Sequence, residues 1–142
     1  MHTIEDSVRI DAPADKVYQA ITTTEGERAW WTKDCEVGTR VGDQAAFRFD
    51  EGKMEVRFRI DELSAPQRVR WTCIAQKNNP DWQDTTVDFR IAEHDGQARV
   101  DFEHAGWREK SRVYEMCVGG WTHFLQSLKA YVETGKGTPH GA

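Results

Sequence analysis

Between Asp43 and His104, apolar and charged residues alternate with a period of two. Phe47 and Phe49 alternate with Ala46, Arg48 and Asp50, and Met54, Val56, Phe58 and Ile60 alternate with Glu55, Arg57, Arg59 and Asp61. Val69, Trp71 and Cys73 alternate with Arg68, Arg70 and Thr72. Thr85, Val87, Phe89 and Ile91 then oppose Thr86, Asp88 and Arg90, and Val100, Phe102 and His104 oppose Arg99, Asp101 and Glu103. Successive side chains of a strand point to opposite faces, so each segment predicts a strand with one apolar and one charged side. Turn signals separate them: Glu51-Gly52-Lys53, Pro66, Asn78-Asn79-Pro80-Asp81 and, most strongly, Asp95-Gly96. The expected result is an antiparallel meander, wet on one side and covered on the other.

The cover comes from the last long segment, Glu109 to Thr134, where the period changes to that of a helix. Val113, Cys117, Gly120, Trp121, Phe124, Leu128 and Tyr131 recur at spacings of three and four, and Met116, Leu125 and Val132 widen the stripe. A stripe this wide needs an apolar partner, and the strands are the partner available. Upstream, Thr3 to Ile10 predicts a first strand. Pro13 opens a short helix carrying Val17, Ala20 and Ile21, and a second short helix, Glu25 to Trp31, ends in Trp30-Trp31. Gly135 stops the long helix, and residues 136–142 are expected to form a flexible tail after a single domain, 1–135. The fold class is α+β.

Composition narrows the function classes. At 142 residues the chain is long enough for one domain with a true core. It has no apolar run of the roughly 20 residues that a membrane-spanning helix needs, and Met1 to Arg9 lacks a basic-then-apolar leader, so a cytoplasmic location is expected. A net charge of −5, with arginines interleaved among Asp and Glu, argues against nucleic acid as a partner. Cys35, Cys73 and Cys117 are an odd number without CxxC spacing, which predicts reduced thiols. His2, His94, His104, His123 and His140 show no metal-ligand spacing, and there is no phosphate-cradling or dinucleotide motif, so neither a metal nor a cofactor is expected. Six tryptophans in so short a chain favour a bulky core or an aromatic-lined pocket.

Certain residues carry a resemblance. The run from Ile10-Asp11-Ala12-Pro13 through Val17-Tyr18-Gln19-Ala20-Ile21-Thr22 resembles the opening of the START-like (SRPBCC) superfamily. Thr24-Glu25-Gly26 followed by Trp30-Trp31, and Gly119-Gly120-Trp121 with Leu125, Leu128, Tyr131, Val132 and Gly135, are similar to its AHSA1-like branch, named after the activator of the Hsp90 ATPase. The resemblance spans roughly residues 3 to 135 and implies the helix-grip fold, a curved antiparallel sheet wrapped around the long helix with a cavity between them. It implies no single chemistry, because the superfamily includes lipid and hormone binders, polyketide cyclases and aromatases, and a co-chaperone domain.

The candidate ligand-binding set follows from the inward faces of strands and helix: Trp31, Phe47, Phe49, Phe58, Trp71, Cys73, Phe89, Phe102, His104, Met116, Cys117, Gly120, Trp121 and Phe124. The same residues would serve equally as an ordinary core. Gly119-Gly120 within the helix costs about 1 kcal/mol per glycine relative to alanine, to be offset by a close approach to the sheet or by room for a ligand. Of the Trp30-Trp31 pair, one ring is expected to staple the helix to the sheet and the other to sit at the cavity mouth. His104 is the one titratable group on the apolar face and the anchor for any acid–base chemistry. No catalytic constellation accompanies it, so the leading expectation is a non-enzymatic binder of a hydrophobic or aromatic small molecule, lipid- or polyketide-like. A cyclase- or aromatase-like enzyme and a co-chaperone-like protein-binding module are the alternatives. Pairing into a homodimer is allowed but not fixed by the sequence.

Overall fold

A computed structural model describes residues 1–141. It is a seven-stranded sheet in the order β1-β7-β6-β5-β4-β3-β2, antiparallel throughout. The strands are β1 His2–Ile10, β2 Asp34–Val37, β3 Gln44–Phe49, β4 Met54–Ser64, β5 Arg68–Lys77, β6 Thr86–His94 and β7 Gln97–Trp107. Helices α1 (Ala14–Thr22) and α2 (Thr24–Trp30) follow β1, and α3 (Arg112–Thr134) closes the fold. This is the helix-grip α+β architecture expected from the sequence. None of its helices is long and apolar enough to cross a membrane.

Alternation places the faces as expected. Phe47, Val56, Phe58, Val69, Trp71, Val87, Phe89, Val100 and Phe102 are buried. Their neighbours form cross-strand ion pairs on the wet face: Arg48 reaches Asp34, Glu36 and Glu55, and Arg68 grips Asp88 with two hydrogen bonds. Asp95 (φ 53°) and Gly96 (φ 78°) make the two-residue hairpin turn whose positive φ values the Asp-Gly pair suits.

Four local features differ from the sequence reading. Strand β2 was not expected; it is four residues long and exposes Asp34 and Glu36, too short for alternation to register. Helix α3 begins at Arg112 rather than Glu109, because the Ser111 hydroxyl caps it by accepting from Tyr114 N at 3.2 Å. Its other end is the expected one, Gly135 in the left-handed region at φ 86°. Trp30 and Trp31 do not divide between staple and mouth as expected. Trp31 is the cap residue at the end of α2, and both rings are buried and stack 6.2 Å apart. Finally, the segment expected to be a loose tail folds back. Thr138 N donates to Ser127 Oγ (2.7 Å), His140 N to Trp31 O (2.7 Å), and Lys33 N to His140 O (3.4 Å). Gly137 is buried where any side chain would strike Ala29 O and Ser127. Ala142, the last residue of that segment, lies outside the described residues.

Candidate functional site

A pocket of about 320 Å3 opens between the first half of α3, the Phe49–Met54 end of β3 and β4, the loop after β5, and His140. Its size falls at the lower end of the roughly 300–1,000 Å3 typical of small-molecule sites. Seven of the fourteen residues proposed from sequence line it: Trp31, Phe49, Met116, Cys117, Gly120, Trp121 and Phe124. The lining is overwhelmingly apolar.

The other seven lie elsewhere. Phe47, Phe58, Trp71, Cys73, Phe89 and Phe102 are sealed in the core behind the pocket, each 1% exposed or less. Trp31 is the hinge between the two groups. Its ring packs against Phe47 (4.2 Å between centroids) and Trp121 (5.0 Å), with Phe49, Trp82 and Trp71 within 6.5 Å. The core set and the pocket set thus share one aromatic cluster, and alternation alone could not divide them.

His104, the seventh, sits behind the wall formed by Trp82 and Trp121 and is fully buried. Its Nδ1 accepts from the Trp121 indole N–H at 3.1 Å. An indole nitrogen can only donate, so the proton resides on Nε2. That nitrogen donates to Thr85 Oγ1 (2.9 Å), whose hydroxyl in turn donates to Trp82 O (2.7 Å). Burial pushes the His104 pKa down to about 3, leaving a neutral ring with both nitrogens engaged. It positions Trp121, and so shapes the pocket, but both its nitrogens are spent on Trp121 and Thr85 rather than offered to a ligand.

The thiols are equally quiet. Burial raises the Cys117 pKa to about 11; the Trp82 indole lies near enough to counter part of that rise, though not in hydrogen-bonding geometry. Cys73 is likewise raised to about 11 by burial. Protonated thiols near neutral pH are poor nucleophiles.

The pocket also takes residues outside the proposed set: Asp50, Met54, Asn78, Asn79, Trp82, Val113 and His140. Met54 and Val113 were already on the predicted apolar faces, and Trp82 follows the Asn78-to-Asp81 turn signal. The polar four come from a turn, a loop and a terminus, where no periodicity operates. Asp50 and His140 meet at the rim, with Nε2 3.2 Å from Oδ1. Asn78 Nδ2 is occupied by Lys53 O at 2.7 Å.

Gly119 and Gly120 are resolved by geometry. A Cβ at either position would meet no atom within 4 Å, so the sheet does not approach them closely. Gly120 faces the pocket, and Gly119 faces solvent.

Similarity to known proteins agrees with this architecture. The family model described as activator of Hsp90 ATPase homolog 1-like protein matches residues 11–133. The solution structure of the Aha1 dimer from Colwellia psychrerythraea is 34% identical with a TM-score of 0.85, covering 96% of this chain and 100% of that one. A Chromobacterium violaceum protein is 25% identical (TM-score 0.79; 92% and 96% covered). CalU16 of Micromonospora echinospora, at 22% identity and TM-score 0.74 (94% and 77% covered), shares the fold. No curated protein matches the chain.

Proposed function

The chain belongs to the family of activator of Hsp90 ATPase homolog 1-like proteins, and from that premise we propose that it is a cytoplasmic binding protein for a hydrophobic aromatic small molecule. One observation carries the reading: a pocket walled by Trp31, Trp82, Trp121, Phe49 and Phe124 stands open beside a core that is otherwise closely filled. Three of these rings are nearly covered, but Phe49 and Phe124 are only half-buried, and a ligand of matching shape would cover the remaining apolar lining at about 25 cal/mol per Å2. An enzymatic role has less support, because His104 and the thiols are neutral and engaged or buried.

The test is a two-dimensional NMR titration of labelled protein with naphthalene-sized aromatics, read at the six indole N–H signals. Saturable shifts at Trp31, Trp82 and Trp121, with Trp30 unmoved because its indole is locked on Ala20 O (2.9 Å), are the expected result. No movement at the three pocket tryptophans contradicts the reading. A homodimer is the accompanying proposal: the 34% identical structure is described as a dimer, and Met116 (68%) and Val118 (40%) are exposed on α3. Sedimentation velocity of this chain at micromolar concentration decides it, and a monomer mass removes it.

A further inference from the structure

The polar groups facing the pocket point to what its ligand must carry. Asn79 lines the pocket and is 5% exposed. It joins the protein's hydrogen bonding through its backbone: N donates to Gln76 Oε1 (2.9 Å), and O accepts from Trp82 N (3.1 Å). Its side-chain amide makes no hydrogen bond among the described residues. Neither does the indole N–H of Trp31, a pocket residue 2% exposed.

Buried polar groups are nearly always paired, since leaving one unpaired costs about 1–3 kcal/mol. Among the described residues, the unpartnered side-chain atoms fully sealed from solvent are the two Glu27 carboxyl oxygens and Trp82 Nε1. The Asn79 amide and the Trp31 N–H are unpartnered yet not sealed. The opening these two residues share is the pocket. The remaining polar lining is not buried: Asp50 and Asn78 are exposed and His140 partly so, with Asp50 in contact with His140 and Asn78 bonded to Lys53 O.

The buried, unpartnered inventory is therefore two kinds of N–H donor and one amide oxygen, with no lysine or arginine in the lining and a carboxylate, Asp50, at its rim. Donors without a cation suit a neutral carbonyl. They do not suit a carboxylate, whose burial without a counter-charge is costly. We propose that the ligand is a neutral planar aromatic carbonyl compound, its oxygen held by Asn79 and Trp31 and its ring stacked within the tryptophan walls, which excludes fatty acids and aromatic carboxylates. This rests on the binding-protein reading above and names the ligand class for the same pocket.

Three probes sharing one ring system separate the two ideas: naphthalene, 2-naphthamide and 2-naphthoate, titrated by fluorescence or calorimetry against the unaltered protein and Asn79→Leu. The expected result is 2-naphthamide binding about ten-fold more tightly than naphthalene, the equivalent of ~1.4 kcal/mol, with 2-naphthoate weaker than the amide. In Asn79→Leu the preference for the amide over naphthalene should fall below about three-fold, the equivalent of ~0.7 kcal/mol, with a cooperative thermal unfolding transition showing that the variant is folded. Equal affinity for naphthalene and 2-naphthamide in the unaltered protein overturns the ligand class but leaves the pocket standing. Tightest binding of 2-naphthoate does the same. Should Asn79→Leu not fold, the three affinities in the unaltered protein still decide. Failure of all three probes overturns the pocket reading together with this one.

Discussion

The two halves of α3 carry the same apolar stripe and do different work. In the second half, Leu125, Ser127 and Leu128 are buried, and the helix is fixed by Lys129 on Arg9 O (2.9 Å), Glu133 on Asp11 N (2.7 Å) and Ser127 on Trp30 O (2.8 Å). In the first half, Tyr114 and Trp121 are buried, but Met116 and Val118 are exposed, Val113 and Cys117 are only half-buried, and a side chain at Gly119 or Gly120 would meet nothing. The periodicity of a helix records which residues are apolar, not what covers them. A wall of the core and a wall of a pocket are written in the same residues, and only the geometry of the opposing sheet separates them.

The sharpest contrast is energetic. Leu128→Ala leaves a cavity in a closed interior and should cost about 2–5 kcal/mol. Met116→Ala, 68% exposed in the first half, should stay within about 0.5 kcal/mol. Urea unfolding of both variants checks this, and a comparable loss from Met116→Ala would show the first half to be packed against something it does not touch here.

Glu27, on α2 beside the core, marks a cost within the closed region. It is fully buried, its carboxyl oxygens have no partner, and burial raises its pKa well above the ordinary carboxylate value. The folded protein therefore holds this proton more tightly than the unfolded chain. The stability it contributes is complete below the unfolded pKa of about 4.3 and is lost as pH rises through the folded value. Glu27→Met, with similar length and no charge, should stabilise the protein by about 1–3 kcal/mol at pH 7, an advantage that shrinks as pH falls toward 4. Unfolding curves across that range test it, and an advantage independent of pH would mean that Glu27 has a partner not seen here.

Smaller still is the effect of the glycines on stability. Gly119→Ala and Gly120→Ala should each raise stability by up to about 1 kcal/mol, since alanine is the better helix former and no atom lies within 4 Å of either new methyl group. A loss in thermal denaturation would reveal a contact at that turn.

Much of this was legible in the sequence, for physical reasons that vary by element. Strands β3 to β7 announced themselves because each has one wet face, and α3 because its stripe runs over six turns. Strand β2 did not, because four residues with two exposed carboxylates carry no period. The candidate site was half legible: the aromatic residues were named, but Phe49 and Phe47, two positions apart on one face, fall on opposite sides of the line between pocket and core. Asn79 and His140 were not legible as site residues at all. Asn79 lies within a loop signal and is held by local bonds to Gln76 and Trp82, while His140 lies in a glycine-rich terminus and reaches the pocket through contacts with Trp31 and Asp50 that no local pattern encodes. His104 drew attention as a titratable group on an apolar face; its neutrality follows from burial, and its tautomer from the indole of Trp121, seventeen residues away.

The central claim is that the open half of α3 faces a ligand, and its most direct measurement is binding of an aromatic probe, naphthalene or 2-naphthamide, to Gly120→Leu and Gly119→Leu side by side. Gly120 lines the pocket, whereas its neighbour faces solvent, so the two variants add the same side chain to the same helix turn in different directions. The account predicts that Gly120→Leu loses affinity by about ten-fold or more, at least ~1.4 kcal/mol, while Gly119→Leu binds as the unaltered protein does. Equal binding by both variants, or equal loss in both, would contradict it.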